Sequence, residues 1–311
     1  MANYFTLGAA LPLLKQGEYR SNDITSKEFL ELLSKELTSK DRQQIELILL
    51  RNDNHLLMQL LKGDELSQIN SELLVLGEEK LQYLIDAVQA KVNCESGPYS
   101  TERLNLPKIN KKKYPKYMID FVEMYLSDKK NDVERSYFYE DILFLEYVKY
   151  VQTKGNSFLK SWFALEQDVA SVLAAITAQK YGLDASKYLV GDKPLYDILR
   201  SGEWSQVSYM NEAELVNKVR KISEEEHLAI RERRLDAMKW DLLDDVTFAD
   251  IFSINAMMVY LLKLQILERW ASLDKVHGEQ KFRSIVHGLN NEGSDELEKF
   301  RDSVKIRKKS R

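Results

Sequence analysis

Two carboxylates stand inside the run SWFALEQDVASVLAAITAQKYG, Ser161 to Gly182, which otherwise reads as a buried helix. Carboxylates that share a site can divide general acid and base work, because their environments push their proton affinities apart. Glu166 and Asp168 cannot do so from one helix. Two residues apart, they point about 200° away from each other around the axis. The roles left to them are as orientation or interface groups, each able to bind Arg or Lys across a helix contact.

A second chemistry is suggested by Glu224-x-x-His227, followed further along by Asp274-x-x-His277. Glu-x-x-His on each of two helices, with inward Glu residues from two others, is how di-iron bundles hold metal. Both motifs, however, fall at expected helix ends. Ser223 with Glu226 fits a capping box, Glu224 to Glu226 suit the first turn of a helix, and His277 precedes Gly278 at an apparent helix stop. His55 and His287 have no partners by spacing. No glycine-rich loop ending in Lys-Ser or Lys-Thr, no GxGxxG after a strand, no HExxH and no GxSxG is present. No catalytic, cofactor-binding or metal-ligating residue is therefore assigned; a metal-dependent helical-bundle enzyme stays as the alternative.

Anion binding has three candidate segments. Lys111, Lys112 and Lys113 form a basic run, and Lys305 to Arg311, KIRKKSR, carries five basic residues in seven. Either could be drawn to phosphates or an anionic membrane surface, or could be a solvated loop and tail. The aromatic run YFYEDILFLEYVKY, Tyr137 to Tyr150, could stack bases. From Asp132 to Lys149, however, five acidic residues face only Arg135 and Lys149, so an aromatic helix interface is expected. The net charge of −4 also argues against a dedicated nucleic-acid binder.

The elements that must position these groups are helical. Apolar residues make up 44% of the 311 and charged ones 30%, while 12 Gly and 5 Pro leave long stretches unbroken. An all-α chain of more than one helical body is expected. TSKE, Thr25 to Glu28, fits a capping box and places Phe29, Leu32, Leu33 and Leu37 on one face. A helix after Ser39 turns Ile45, Ile48 and Leu49 inward, another runs through Leu56, Leu57, Leu60 and Leu61 to Gly63, and a fourth through Leu81, Leu84, Ile85 and Val88. In the opening stretch Trp162, Leu165, Val169, Val172, Leu173 and Ile176 form one stripe, and Phe163, Ala170, Ala174 and Thr177 a second, so two buried faces are predicted. Later helices are expected over Glu212 to Ile222, Ser223 to Leu243 and Phe248 to Val276.

Pro98, Pro107 and Pro115 fall in the clearest linker. The expected division is an N-terminal helical body over 1–94, a linker over 95–115, a central body over 116–200, a C-terminal body over 201–304 and a basic tail over 305–311. The single Cys94 suggests a reducing compartment, and the opening MANYFTLGAALPLL lacks the basic start of a secretory signal. Ile251 to Leu262 is uncharged for only twelve residues, too short to span a bilayer. A cytoplasmic location is expected.

NSFLKSWFALEQDVASVLAAITAQKYGLDASKYLVG, Asn156 to Gly191, resembles a bacterial family of uncharacterised proteins related to the C subunit of V-type ATPases, whose eukaryotic form is the d subunit. YFTLGAALPLL with the following TSKEFLELLSKELTSKD, Thr25 to Asp41, is similar to the start of that family, and FSINAMMVYLLKLQILERWASLD, Phe252 to Asp274, to its C-terminal helix. The resemblance implies an elongated or funnel-shaped assembly of several helical bodies. It implies a non-catalytic subunit, without cofactor, that couples the central stalk to the membrane proteolipid ring from the cytoplasmic face. One departure follows Tyr260, where the V-type ATPase protein carries acidic residues and this chain has Lys263, Leu264 and Gln265.

Overall fold

The structure is a computed structural model that describes residues 4–17, 24–64, 73–94, 109–110, 112–133, 135, 137–247 and 251–273. Among these residues the regular structure is entirely helical, as expected. The helices are α1 (Phe5–Ala10), α2 (Ser26–Ser34), α3 (Ser39–Lys62), α4 (Glu78–Cys94), α5 (Lys116–Lys130), α6 (Tyr139–Lys154), α7 (Ser157–Tyr181), α8 (Pro194–Ser201), α9 (Ala213–Ser223), α10 (Leu228–Thr247) and α11 (254–273). Short 3-10 turns at Ala185–Lys187 and Trp204–Tyr209 bracket α8.

Local signals set most of these boundaries. Thr25 and Glu28 form the expected capping box at the start of α2, each satisfying the other's free amide. Thr38 caps α3 through the Asp41 amide, and Gly63 closes it in a left-handed conformation at φ 71. The two helices expected on either side of residues 51–55 are one continuous α3. The polar stretch RNDNH does not break it, because Asp53 and Asn54 are buried and bonded to other parts of the chain. Ser223 does not begin a helix either. Its hydroxyl donates back to the Arg220 carbonyl at the end of α9, and α10 starts at Leu228.

Two cores result. The larger is built from α2 to α6, the first half of α7, Leu243 near the end of α10, and α11; the smaller from the second half of α7, α8, α9 and the middle of α10. Helices on both sides of residues 95–115 thus share one core, and the stretch after residue 200 is divided between the two. α11 returns to the chain's beginning. The Tyr4 amide donates to the Phe252 carbonyl at 3.3 Å, the Tyr260 hydroxyl to the Pro12 carbonyl at 3.1 Å, and the Phe29 and Tyr260 rings lie 4.9 Å apart. Glu268 on α11 accepts from the Ser26 amide at 2.6 Å and its hydroxyl at 2.7 Å, so the carboxylate sits at the positive start of α2. Among the described residues no helix is long and apolar enough to cross a membrane.

Candidate functional site

α7 contributes to both cores along its length, and its two ends are fixed. Gly155 separates it from α6: a Cβ there would lie 2.9 Å from the Val151 carbonyl oxygen and 3.3 Å from the Leu159 Cβ, so the turn admits no side chain. Asn156 then caps α7 by accepting from the Leu159 amide at 3.0 Å, while its own amide donates to Gln44 Oε1 at 2.7 Å. At the far end Gly182 is left-handed, and the Leu183 amide donates to the Ala178 carbonyl at 2.8 Å. Fixed ends set the rotation of the helix and therefore where Glu166 and Asp168 point.

Glu166 turns toward α3 and α10. One carboxylate oxygen accepts from Arg51 at 2.6 Å and the other from Lys239 at 3.1 Å, and only 7% of the side chain is exposed. The Arg51 guanidinium also lies 5.7 Å above the Phe144 ring. Burial alone would raise the proton affinity of Glu166, but Arg51 and Lys239 outweigh it and hold the carboxyl at about 2. Asp168 points to the other side, where Oδ1 accepts from Lys193 and from the Tyr196 hydroxyl, each at 2.7 Å. Burial and the adjoining carboxylate push the Tyr196 hydroxyl well above the usual tyrosine range, so it stays a donor. Both carboxylates are thus occupied by cations of this chain. Glu166 ties α7 to α3 and α10, and Asp168 ties it to α8. A carboxylate held at about 2 is a poor general acid or base at neutral pH, so what Glu166 can do is fix three helices in register.

The two predicted faces of α7 are realised unequally. Trp162, Val169 and Val172 are buried as expected, and Phe163 is buried too, but Ala170 and Thr177 are exposed and Ala174 is half-buried. α6 has 16 residues against the 25 of α7, so it cannot run alongside the whole of its neighbour. The small residues that do pack closely are Ala175 and Ala178.

The remaining candidates are dispersed. Glu224 and His227 lie in the connection between α9 and α10, where the His227 carbonyl accepts from the Arg231 amide at 2.9 Å. Asp274, His277, His287, Lys111 and the tail 305–311 lie outside the described residues. Among the described residues no three His, Cys, Asp or Glu side chains are grouped so that they could hold a metal ion. His55 is exposed. The aromatic run is largely turned into the protein: Tyr147 is fully buried and donates to the Leu47 carbonyl at 2.6 Å, its ring meets Phe163 edge-on at 5.0 Å, and Tyr139 meets Tyr125 edge-on at 4.7 Å. Phe138 is the exception, exposed against Tyr188.

Three buried carboxylates escaped the reading of the sequence, of which Asp128 near the end of α5 pairs with Arg135 and accepts from the Tyr139 hydroxyl. Asp53 accepts the amides of Val75, Leu76 and Gly77 at 2.8, 2.9 and 3.1 Å, capping the approach to α4 from inside α3. Asp236 on α10 accepts from the Trp270 indole at 2.6 Å and pairs with Arg269, joining α10 to α11. Lys263 is buried, pairs with Asp244 and lies 4.8 Å over the Trp240 ring. Here it serves the same α10 to α11 contact.

Comparison with curated proteins finds no match. A family model described as "Protein of unknown function (DUF2764)" matches residues 1–293, nearly the whole chain, and the protein belongs to that family.

Proposed function

We propose that the protein is a non-catalytic subunit of a V-type rotary ATPase or ATP synthase, coupling the central stalk to the membrane proteolipid ring from the cytoplasmic face. The resemblance of Asn156 to Gly191, of the N-terminal segments and of Phe252 to Asp274 to the V-type ATPase stalk-to-ring coupler motivates this reading. The observation that supports it best is mechanical. α7 runs through both cores and is tied by Glu166 to Arg51 on one side and to Lys239 on another. A protein that couples stalk to ring must carry load between two contact surfaces without bending. A long helix packed into two cores and pinned by charge meets that need, because a dense interior transmits strain with little compression.

Affinity capture of the tagged full chain from native membranes tests the proposal. Stalk subunits and the proteolipid should be recovered together in amounts comparable with the bait. Recovery of neither would overturn it.

A further inference from the structure

The lysine run singled out in the sequence leads to a concave surface that the proposed coupling role does not use. A cleft of about 410 Å³ opens between the first half of α3, Val75 and Leu76 before α4, residues 112–115 before α5 and the end of α6. Lys112, Lys113 and Lys154 stand on its walls. All three are exposed, and none makes an ion pair among the described residues, in contrast with Lys62, Lys91, Lys193, Lys239 and Lys263. Three ammonium groups around one concavity, in a chain of net charge −4, form a local field that attracts anions. The rest of the lining narrows what kind of anion. Leu50 and the half-buried Tyr150 supply apolar surface, and Glu46 places one carboxylate in the same cleft.

We propose that this cleft binds an acidic peptide segment of a partner protein, one in which carboxylates alternate with apolar side chains. Ammonium groups on exposed, flexible stems lack the fixed donor geometry that a tight phosphate site uses. A flat bilayer surface cannot follow a concavity, and its headgroups would leave the apolar floor uncovered. Glu46 opposes an unbroken polyanion such as a nucleic acid, whereas a peptide can set an apolar residue against it. The volume lies within the range of ordinary ligand clefts, about 300–1,000 Å³. This inference stands without the rotary-ATPase reading, since it rests on the cleft alone.

The test is fluorescence anisotropy with the full chain and a labelled peptide Glu-Leu-Glu-Glu-Leu-Glu at low salt. The peptide should bind, and binding should weaken as salt rises. Lys112→Glu, Lys113→Glu and Lys154→Glu combined should weaken it by about tenfold or more, while charge reversal of the exposed Lys35, Lys180 and Lys187 outside the cleft should change it by less than about twofold. Glu46→Gln should tighten binding, and replacing the peptide leucines by serine should weaken it. Matching circular dichroism and unfolding midpoints would exclude misfolding of the variants. Absence of binding, equal loss in the two triple variants, equal affinity for the serine peptide, or tighter binding to phosphatidylserine vesicles or inorganic phosphate would each overturn the proposal.

Discussion

Glu166 is the residue whose chemistry is most constrained, because one buried carboxylate answers two cations from different helices. Its folded-state pKa lies at about 2 against an ordinary 4.5. The sign follows directly: the stabilisation is complete above the unfolded value and is lost as pH falls from about 4.5 toward about 2. At about 1.4 kcal/mol per tenfold change in proton affinity, the loss is of the order of 3 kcal/mol. Urea unfolding between neutral and acid pH should show that decline in the native chain. Glu166→Gln should cost about 3–5 kcal/mol at pH 7, because Lys239 is left largely buried without its counter-charge, and the variant should lack this part of the acid decline. Asp53→Ala should cost at least about 2 kcal/mol by the same measurement at pH 7, since three amides lose their acceptor. The two carboxylates were not equally legible. Glu166 stands out in sequence because its neighbours are apolar. Asp53 sits in a polar run, and its partners lie 22 to 24 residues further along the chain, beyond the reach of any helical periodicity.

Among the elements, the longer helices were readable, but α1 was not, nor was α8, which lies in a stretch whose Gly191, Pro194 and Gly202 read as a break; the other errors lie in where helices begin and which faces they bury. Caps that act within three residues, such as Thr25 with Glu28, were visible. The continuity of α3 was not, because buried Asp53 and Asn54 resemble a solvated break until the Tyr117 hydroxyl and the amides before α4 come into place. Ala170 is exposed on a groove that it shares with Asp141, Phe144 and Leu145 of α6, a matter of how the neighbour fits and not of the pattern in α7. The α6 to α7 turn makes a sharp demand of its own. Gly155 has an ordinary φ of −73, so its substitution costs nothing in backbone conformation, yet a Cβ would press on the Val151 carbonyl at 2.9 Å. Gly155→Ala should therefore destabilise by about 1–3 kcal/mol through displacement of the α6 end. Thermal unfolding against Gly182→Ala separates the causes, because Gly182 has a left-handed φ of 65 and open space around it, and its cost of about 1–2 kcal/mol should be purely conformational.

At the scale of the whole molecule, the question is whether two cores that share two helices behave as one unit. α7 and α10 both pass from one core to the other, and Glu166 with Lys239 links them where they meet. The proline-rich segment suggested a boundary near residues 95–115, but the composition of a connection does not reveal what its flanking helices pack against. The division of the cores falls instead within α7, where no turn residue marks it. A smaller core has fewer apolar contacts to lose and should open at lower free energy than the larger one. Leu199 on α8 is 2% exposed in the smaller core, and Leu57 on α3 is fully buried in the larger. Either change to Ala removes buried carbon at a cost of about 2–5 kcal/mol. Hydrogen exchange should tell them apart. Leu199→Ala should speed exchange in α8, α9 and the second half of α7 while α3 to α5 keep their protection. Leu57→Ala should release all of these together, because the smaller core depends on a helix whose first half is anchored in the larger. Combining Leu199→Ala with Glu166→Gln should extend the fast exchange into α10, since the carboxylate is the charged tie that holds Lys239 against α7.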